Sequence, residues 1–206
     1  MPLIRSTFTP GAIPAPSDPP HWLALLQGAN SAQRREAAIA LGQLPDYSTA
    51  LIACLDQETD PVVSEAVIGA LAMQGDAEAV NALLDCLRSE EAGLRNDAIE
   101  ALKSAGSAHP QLIQAALSDS DSDVRILTCG ILQALPVPQV ESWLIELLEQ
   151  ESHVNVCACA IDLLCEIGTA QSMDVLEQCR ERFAGEDYLV FAIDLALTRL
   201  SVEPAQ

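Results

Sequence analysis

The 206-residue chain carries thirty acidic and ten basic residues, a formal charge of −20 that repels phosphate backbones and anionic lipids and so argues against nucleic acid and membrane surfaces as partners. Half of its residues are hydrophobic, yet only seven are Phe, Trp or Tyr, so the core has to be built from Ala, Leu, Ile and Val, which favours close-packed helices. Seven cysteines, an odd number placed mostly inside apolar helical runs, read as reduced thiols in a cytoplasmic protein, and no stretch approaches the roughly eighteen apolar residues of a transmembrane helix.

The first twenty residues, MPLIRSTFTPGAIPAPSDPP, hold six prolines and no apolar run long enough for a signal peptide, which predicts an extended arm over 1–20. From residue 21 the pattern becomes periodic. Six short apolar segments, HWLALLQG, TALIACLD, AEAVNALLDCL, PQLIQAAL, VESWLIELLEQ and SMDVLEQCRERF, each precede a second, longer helical run. In those second runs one register recurs, with apolar or small residues four, seven and eight positions after a start and a breaker twelve after it. Val63 leads to Val67, Ala70, Leu71 and Gly75; Leu94 to Ala98, Ala101, Leu102 and Gly106; Val124 to Thr128, Ile131, Leu132 and Pro136. The same offsets hold from Gln33, Val156 and Leu189, so the starts lie 30 to 33 residues apart, a spacing of helical solenoids.

Three residues before each start stand Asn30, Asp60, Glu91, Asp121, His153 and Glu186, mostly types that accept from free amides or complement a helix N-terminus. Pro61 follows Asp60 at the position where a missing N–H matters least. One helix pair of this size cannot cover its own apolar face, but stacked pairs share a continuous core, which is why the unit has to repeat.

Sites of chemistry are not signalled. The run DSDSDVRILTCG at 119–130 alternates acids like a calcium loop but has Val124 at its sixth position and Gly130 at its twelfth, so it lacks the turn glycine and the bidentate glutamate. His153, Cys157, Cys159 and Cys165 lie close in sequence, yet on a helix Cys157 and Cys159 point about 200° apart, which argues for packed thiols over a tetrahedral metal site. No two glycines are separated by a single residue, so phosphate-cradling loops are absent, and the three histidines sit at helix starts or turns without an evident acid–base partner. No catalytic residue, metal or cofactor is expected from these patterns.

The acid before each second helix, the arginine after the start (Arg34, Arg95, Arg125), the Ala–Leu pairs (Ala40–Leu41, Ala70–Leu71, Ala101–Leu102) and the closing Gly75, Gly106 and Gly168 resemble HEAT repeats, particularly the short bacterial type associated with phycobilin lyases. The resemblance covers about residues 21–201 and implies an all-α, right-handed solenoid of six antiparallel helix pairs, followed by a tail over 202–206. It also implies that Arg34, Arg95 and Arg125 form a charged ladder with helix-start acids such as Asp60 and Asp121. At the equivalent positions Ser64, Cys157 and Val190 depart from the pattern. The sixth unit carries Phe183, Tyr188 and Phe191, either an atypical end cap, the reading favoured here, or an exposed docking patch.

In such a solenoid the second helices line the concave side. Counting two, six and nine residues beyond each start reaches the face turned away from the Ala–Leu core: Arg35, Ile39, Glu65, Asn96, Glu100, Lys103, Ile126, Gln133, Asp162, Phe191 and Leu195. Ile126, Phe191 and Leu195 would gain by burial against a partner. The leading expectation is therefore a non-catalytic scaffold that grips a protein partner with a basic or mixed apolar and basic surface; the alternative, implied by the resemblance alone, is a phycobilin-lyase-like protein or a chaperone in cofactor maturation.

Overall fold

The computed structural model describes residues 18–202, so residues 1–17 of the expected arm and 203–206 of the tail lie outside the described residues. Twelve α-helices and two 3-10 turns, with no strand, make up the described chain. They form six successive pairs: α1 (Pro19–Leu26) with α2 (Ser31–Gly42), α3 (Ser48–Leu55) with α4 (Pro61–Gln74), α5 (Ala77–Cys86) with α6 (Ala92–Ala105), α7 (Pro110–Ala116) with α8 (Ser122–Leu132), α9 (Val140–Gln150) with α10 (Val154–Ile167), and α11 (Met173–Arg182) with α12 (Asp187–Val202). The 3-10 turns, Gly106–Ala108 and Ala170–Ser172, precede α7 and α11.

The apolar register explains why these pairs stack. Every residue four and seven positions after a start is buried, from Ala37 and Ala40 in the first pair to Ile193 and Ala196 in the last. At the start itself and eight positions on, burial has exceptions at the two ends of the array and at Leu94 of α6, which is half-buried. Gln33 is exposed where no pair precedes among the described residues, and Leu197 is half-buried where none follows. Second helices pack on successive second helices, and at every step this contact is more extensive than that between first helices, so the array closes toward its second-helix side. It is least extensive between α6 and α8.

Small residues allow that closeness. A Cβ on Gly42 would lie 2.8 Å from both Cα and Cβ of Ala70, so α2 and α4 meet nearly backbone to backbone. Gly75 ends α4 in the left-handed conformation with φ 60, and its N–H returns to the Leu71 carbonyl. The helix starts are the marked ones: Asn30, Asp60 and Asp121 accept from the amides of Gln33, Val62 and Asp123 at 3.2, 3.0 and 2.9 Å. Glu91 and His153 occupy the same place without a side-chain cap bond.

Three helix ends among the described residues, those of α1, α2 and α9, are finished by the following repeat. The Gln74 amide in α4 donates to the carbonyls of Leu41, Gly42 and Leu44 at 3.3, 3.2 and 2.6 Å, closing the end of α2, and accepts from the Tyr47 amide at 3.1 Å. Among first helices, Cys54 and Cys179 donate their thiols to the Leu26 and Leu148 carbonyls of the preceding unit. Arg182 adds a bond to the Glu149 carbonyl. No described helix is long and apolar enough to cross a membrane.

Candidate functional site

Two surfaces follow from this stacking: an edge where the loops between paired helices line up, and the ridge of second helices. At the edge, the Arg34 fork grips both Glu58 oxygens through Nε and Nη2 at 2.7 and 2.9 Å, while Nη1 donates to the Gly28 carbonyl at 3.1 Å. Arg125 repeats the arrangement with Glu151 at 2.7 and 3.1 Å and with the Asp119 carbonyl at 2.8 Å. Each guanidinium thus ties its own loop to the loop of the next repeat.

This corrects the expected ladder. Its acids are Glu58 and Glu151, not Asp60 and Asp121, because a short Asp side chain at the helix start is engaged by its own helix amides, whereas the residue two positions earlier faces back to the preceding repeat. The same carboxylates also order their loops: Glu58 accepts from the Thr59 and Asp60 amides, and Glu151 from those of Ser152 and His153. Hydrogen bonding from Arg34 pulls the Glu58 carboxyl down to about 2 against the opposing effect of burial. Burial works to raise Glu151, but Arg125 and the loop amides together hold it below the ordinary range.

Arg95 departs from its fellows. Its Nη1 donates to the Ser89 carbonyl at 2.5 Å, the equivalent of the Gly28 and Asp119 carbonyl contacts, yet among the described residues it makes no ion pair. The matching acid in the next repeat is Asp119, one methylene shorter than Glu58 and Glu151, and Asp119 is held instead by Arg88 from the loop after α5. Cys157 takes the arginine position in α10 and makes the homologous contact through its thiol, to the Glu151 carbonyl at 3.7 Å.

On the ridge, Arg35, Glu65, Asn96, Glu100, Gln133, Asp162, Phe191 and Leu195 are exposed, and Ile39, Lys103 and Ile126 are half-buried. The structure sorts them into three places. Arg35, Ile39 and Glu65 line an apolar groove of about 230 Å³ between α2 and α4, together with the exposed Val62 and Met73. Lys103, Ile126, Gln133 and Asp162 line a larger groove of about 450 Å³ across α6, α8 and α10. Asn96 lines neither groove, and Glu100 pairs with Lys103 at 2.8 Å.

In the larger groove burial and then the charge of Glu166 push the Asp162 carboxyl up, while the Gln133 amide donates to Glu166 at 2.9 Å. Phe191 and Leu195 stand apart on α12 beside Tyr188, all three more than half exposed. Of the aromatic end-cap trio only Phe183 packs on the core, with the Arg182 guanidinium 5.0 Å from its ring centre. Tyr188 and Phe191 form the exposed patch instead. Val62 and Met73 escaped the two-six-nine count because they stand one position before the start and ten after it, on one flank of that face which those offsets do not reach.

Cys86, Cys129 and Cys157 are not poised for nucleophilic work. Burial, first of all, pushes Cys129 and Cys157 up to about 12 and Cys86 up to about 11, so they remain thiols at neutral pH.

Comparison with known proteins adds a family and relatives. The family model described as HEAT repeats matches residues 19–103 and 109–185. The bilin biosynthesis protein PecE of Mastigocladus laminosus is 37% identical over 148 residues, 69% of this chain and 54% of that protein. PecE of Nostoc sp. (strain PCC 7120) is 46% identical over 83 residues, 38% of this chain and 33% of that one. The chain therefore spans about half the length of the first of these relatives and a third of the second. Among solved structures, an engineered protein aligns over 89% of this chain and 96% of its own at 18% identity and TM-score 0.41. The complex of CpcE and CpcF of phycocyanin lyase from Nostoc sp. PCC7120 aligns over 89% and 95% at 19% identity and TM-score 0.39.

Proposed function

From the premise that the chain belongs to the HEAT-repeat family, we propose that it serves bilin attachment or maturation, holding a linear tetrapyrrole or its acceptor phycobiliprotein on the ridge of second helices. The observation that carries this reading is the 37% identity to a bilin biosynthesis protein over 148 residues. Of the two expectations drawn from the sequence, this favours the lyase-like role over a plain scaffold. A protein partner belongs to both roles, and the exposed apolar groups of the ridge, Val62, Met73, Phe191 and Leu195, supply surface that such a partner would bury.

The chemistry asked of the platform is modest. A tetrapyrrole is a flat conjugated body with polar nitrogens and carboxylate side chains, so it needs apolar walls and a few placed polar groups. The groove across α6, α8 and α10 offers Ile99, Ile126, Leu127 and Leu163 as walls. No side chain is assigned a catalytic role.

The test is an absorbance titration of the purified chain with biliverdin, followed by gel filtration with a bilin-free phycobiliprotein subunit. A shifted and intensified long-wavelength band, or co-elution with the subunit, is expected. A spectrum equal to the sum of its parts together with separate elution overturns the reading.

A further inference from the structure

We infer that Arg95 is the receptor for the carboxylate of an apolar ligand seated in the trough between α6 and α8. Three arginines occupy equivalent positions at the starts of α2, α6 and α8, and all three donate Nη1 to the backbone carbonyl six residues earlier. In two of them the rest of the fork is filled by a glutamate of the following repeat. At Arg95 that place is vacant of protein carboxylate among the described residues, because Arg88 holds Asp119. A half-buried guanidinium with its bidentate edge unspent is suited to a carboxylate supplied from outside.

The surroundings say what kind of carboxylate. Arg95 lines a groove of about 380 Å³ whose floor includes Leu87, Ile126 and Leu127. Ile126 and Leu127 also line the groove of about 450 Å³ across α6, α8 and α10, so the two grooves adjoin at these side chains along the trough, with Arg95 on the smaller one. The trough opens at the step where second helices meet least. Glu90, Asp121 and Asp123 stand around the same edge, where the other cation, Arg88, is already paired with Asp85 and Asp119, and they repel a bare anion. Affinity therefore has to come from the apolar body, with the fork selecting the acid group, and simple anions such as acetate or phosphate do not qualify. Applied to a bilin, whose propionates are carboxylates on an apolar frame, the inference rests on the function proposed above; for apolar carboxylates in general it stands alone.

The experiment measures affinities of the full chain, by fluorescence or absorbance, for biliverdin and its dimethyl ester, and for cis-parinaric acid and its methyl ester. Variants are R95Q, R95K and, as a charge-matched control at the far end of the array, R180Q. The wild type is expected to prefer each free acid over its ester. R95Q should weaken acid binding about tenfold or more while sparing the ester, as loss of a charge-assisted bidentate contact requires. R180Q should change neither. R95K keeps the charge and aliphatic stem and covers the case in which R95Q fails to fold; it should lose several-fold in acid preference for want of a fork. Unchanged acid preference in R95K and R95Q, or an equal loss in R180Q, overturns the assignment. If neither tetrapyrrole binds, the bilin-holding half of the proposed function falls, its phycobiliprotein-holding half rests on the gel filtration, and parinaric acid decides the receptor: no preference of the wild type for that acid over its ester overturns it as well.

Discussion

Replacing Glu58 by Gln keeps the shape of the side chain and removes its charge, which isolates what the Arg34 fork contributes to holding the first two repeats together. The Glu58 side chain is 2% exposed and that of Arg34 18%, so the pair is enclosed on one side and wet on the other. A carboxyl held at about 2 instead of its ordinary 4.5 sets a ceiling of about 3 kcal/mol on the stabilisation. Solvent screening on the arginine side brings the expected loss to ~1–2 kcal/mol. Urea unfolding followed by circular dichroism, repeated across pH, reads both the size and the cause. Because the folded carboxyl is depressed, its contribution is complete above the unfolded value near 4.5 and disappears as pH falls toward 2. The stability gap between wild type and E58Q should be constant from pH 5 to 7 and close between pH 4.5 and 2. A gap below ~0.5 kcal/mol at neutral pH, or one that persists unchanged at pH 2, refutes the reasoning.

Three further outcomes follow from the same geometry. Asp60→Ala and Asp121→Ala should each cost ~1 kcal/mol in urea unfolding, since both side chains cap helix amides, whereas Glu91→Ala, with no cap bond to lose, should stay within ~0.5 kcal/mol. Gly42→Ala should cost ~1–3 kcal/mol by forcing α2 from α4, and the loss would shrink on pairing with Ala70→Gly, whose Cβ is one of the two atoms in the way. Phe191→Asp should leave stability within ~0.5 kcal/mol, because the ring is 70% exposed, while abolishing co-elution with a phycobiliprotein partner if the end patch takes part.

The array of six helix pairs was legible because it follows from a local rule: the positions four and seven beyond each start are buried in every copy, as helical periodicity requires. The helix starts were legible for the same reason, since capping acts within three residues. The ladder acids were not, because they lie 24 to 26 residues from their arginines and compete with closer acids at the helix start. Yet a signal was present. Arg34, Arg95 and Arg125 are each followed in the next repeat by an acid at one fixed position, Glu58, Asp119 and Glu151, whereas Ser64 and Cys157 are followed there by Ser89 and Ala184. Finding it requires comparing position one of a repeat with its neighbour and not with itself. The vacancy at Arg95 was beyond reach in sequence, because it depends on Arg88 reaching Asp119 across a loop. Likewise the cysteines were read as filling space, and only the structure shows Cys54 and Cys179 donating to carbonyls at helix ends and Cys157 to the loop carbonyl of Glu151.

The closure of α2 by Gln74 gives the molecule a direction. A helix that borrows its last hydrogen bonds from downstream sequence is incomplete until that sequence has been made, so during synthesis the first repeat would remain frayed at its trailing end until Gln74 arrives. Trimming the chain before α4, or before α11, whose Cys179 and Arg182 bond the end of α9, should therefore loosen the repeat before the cut as well as remove the one after it, and shuffling those units would break bonds that neither unit contains alone.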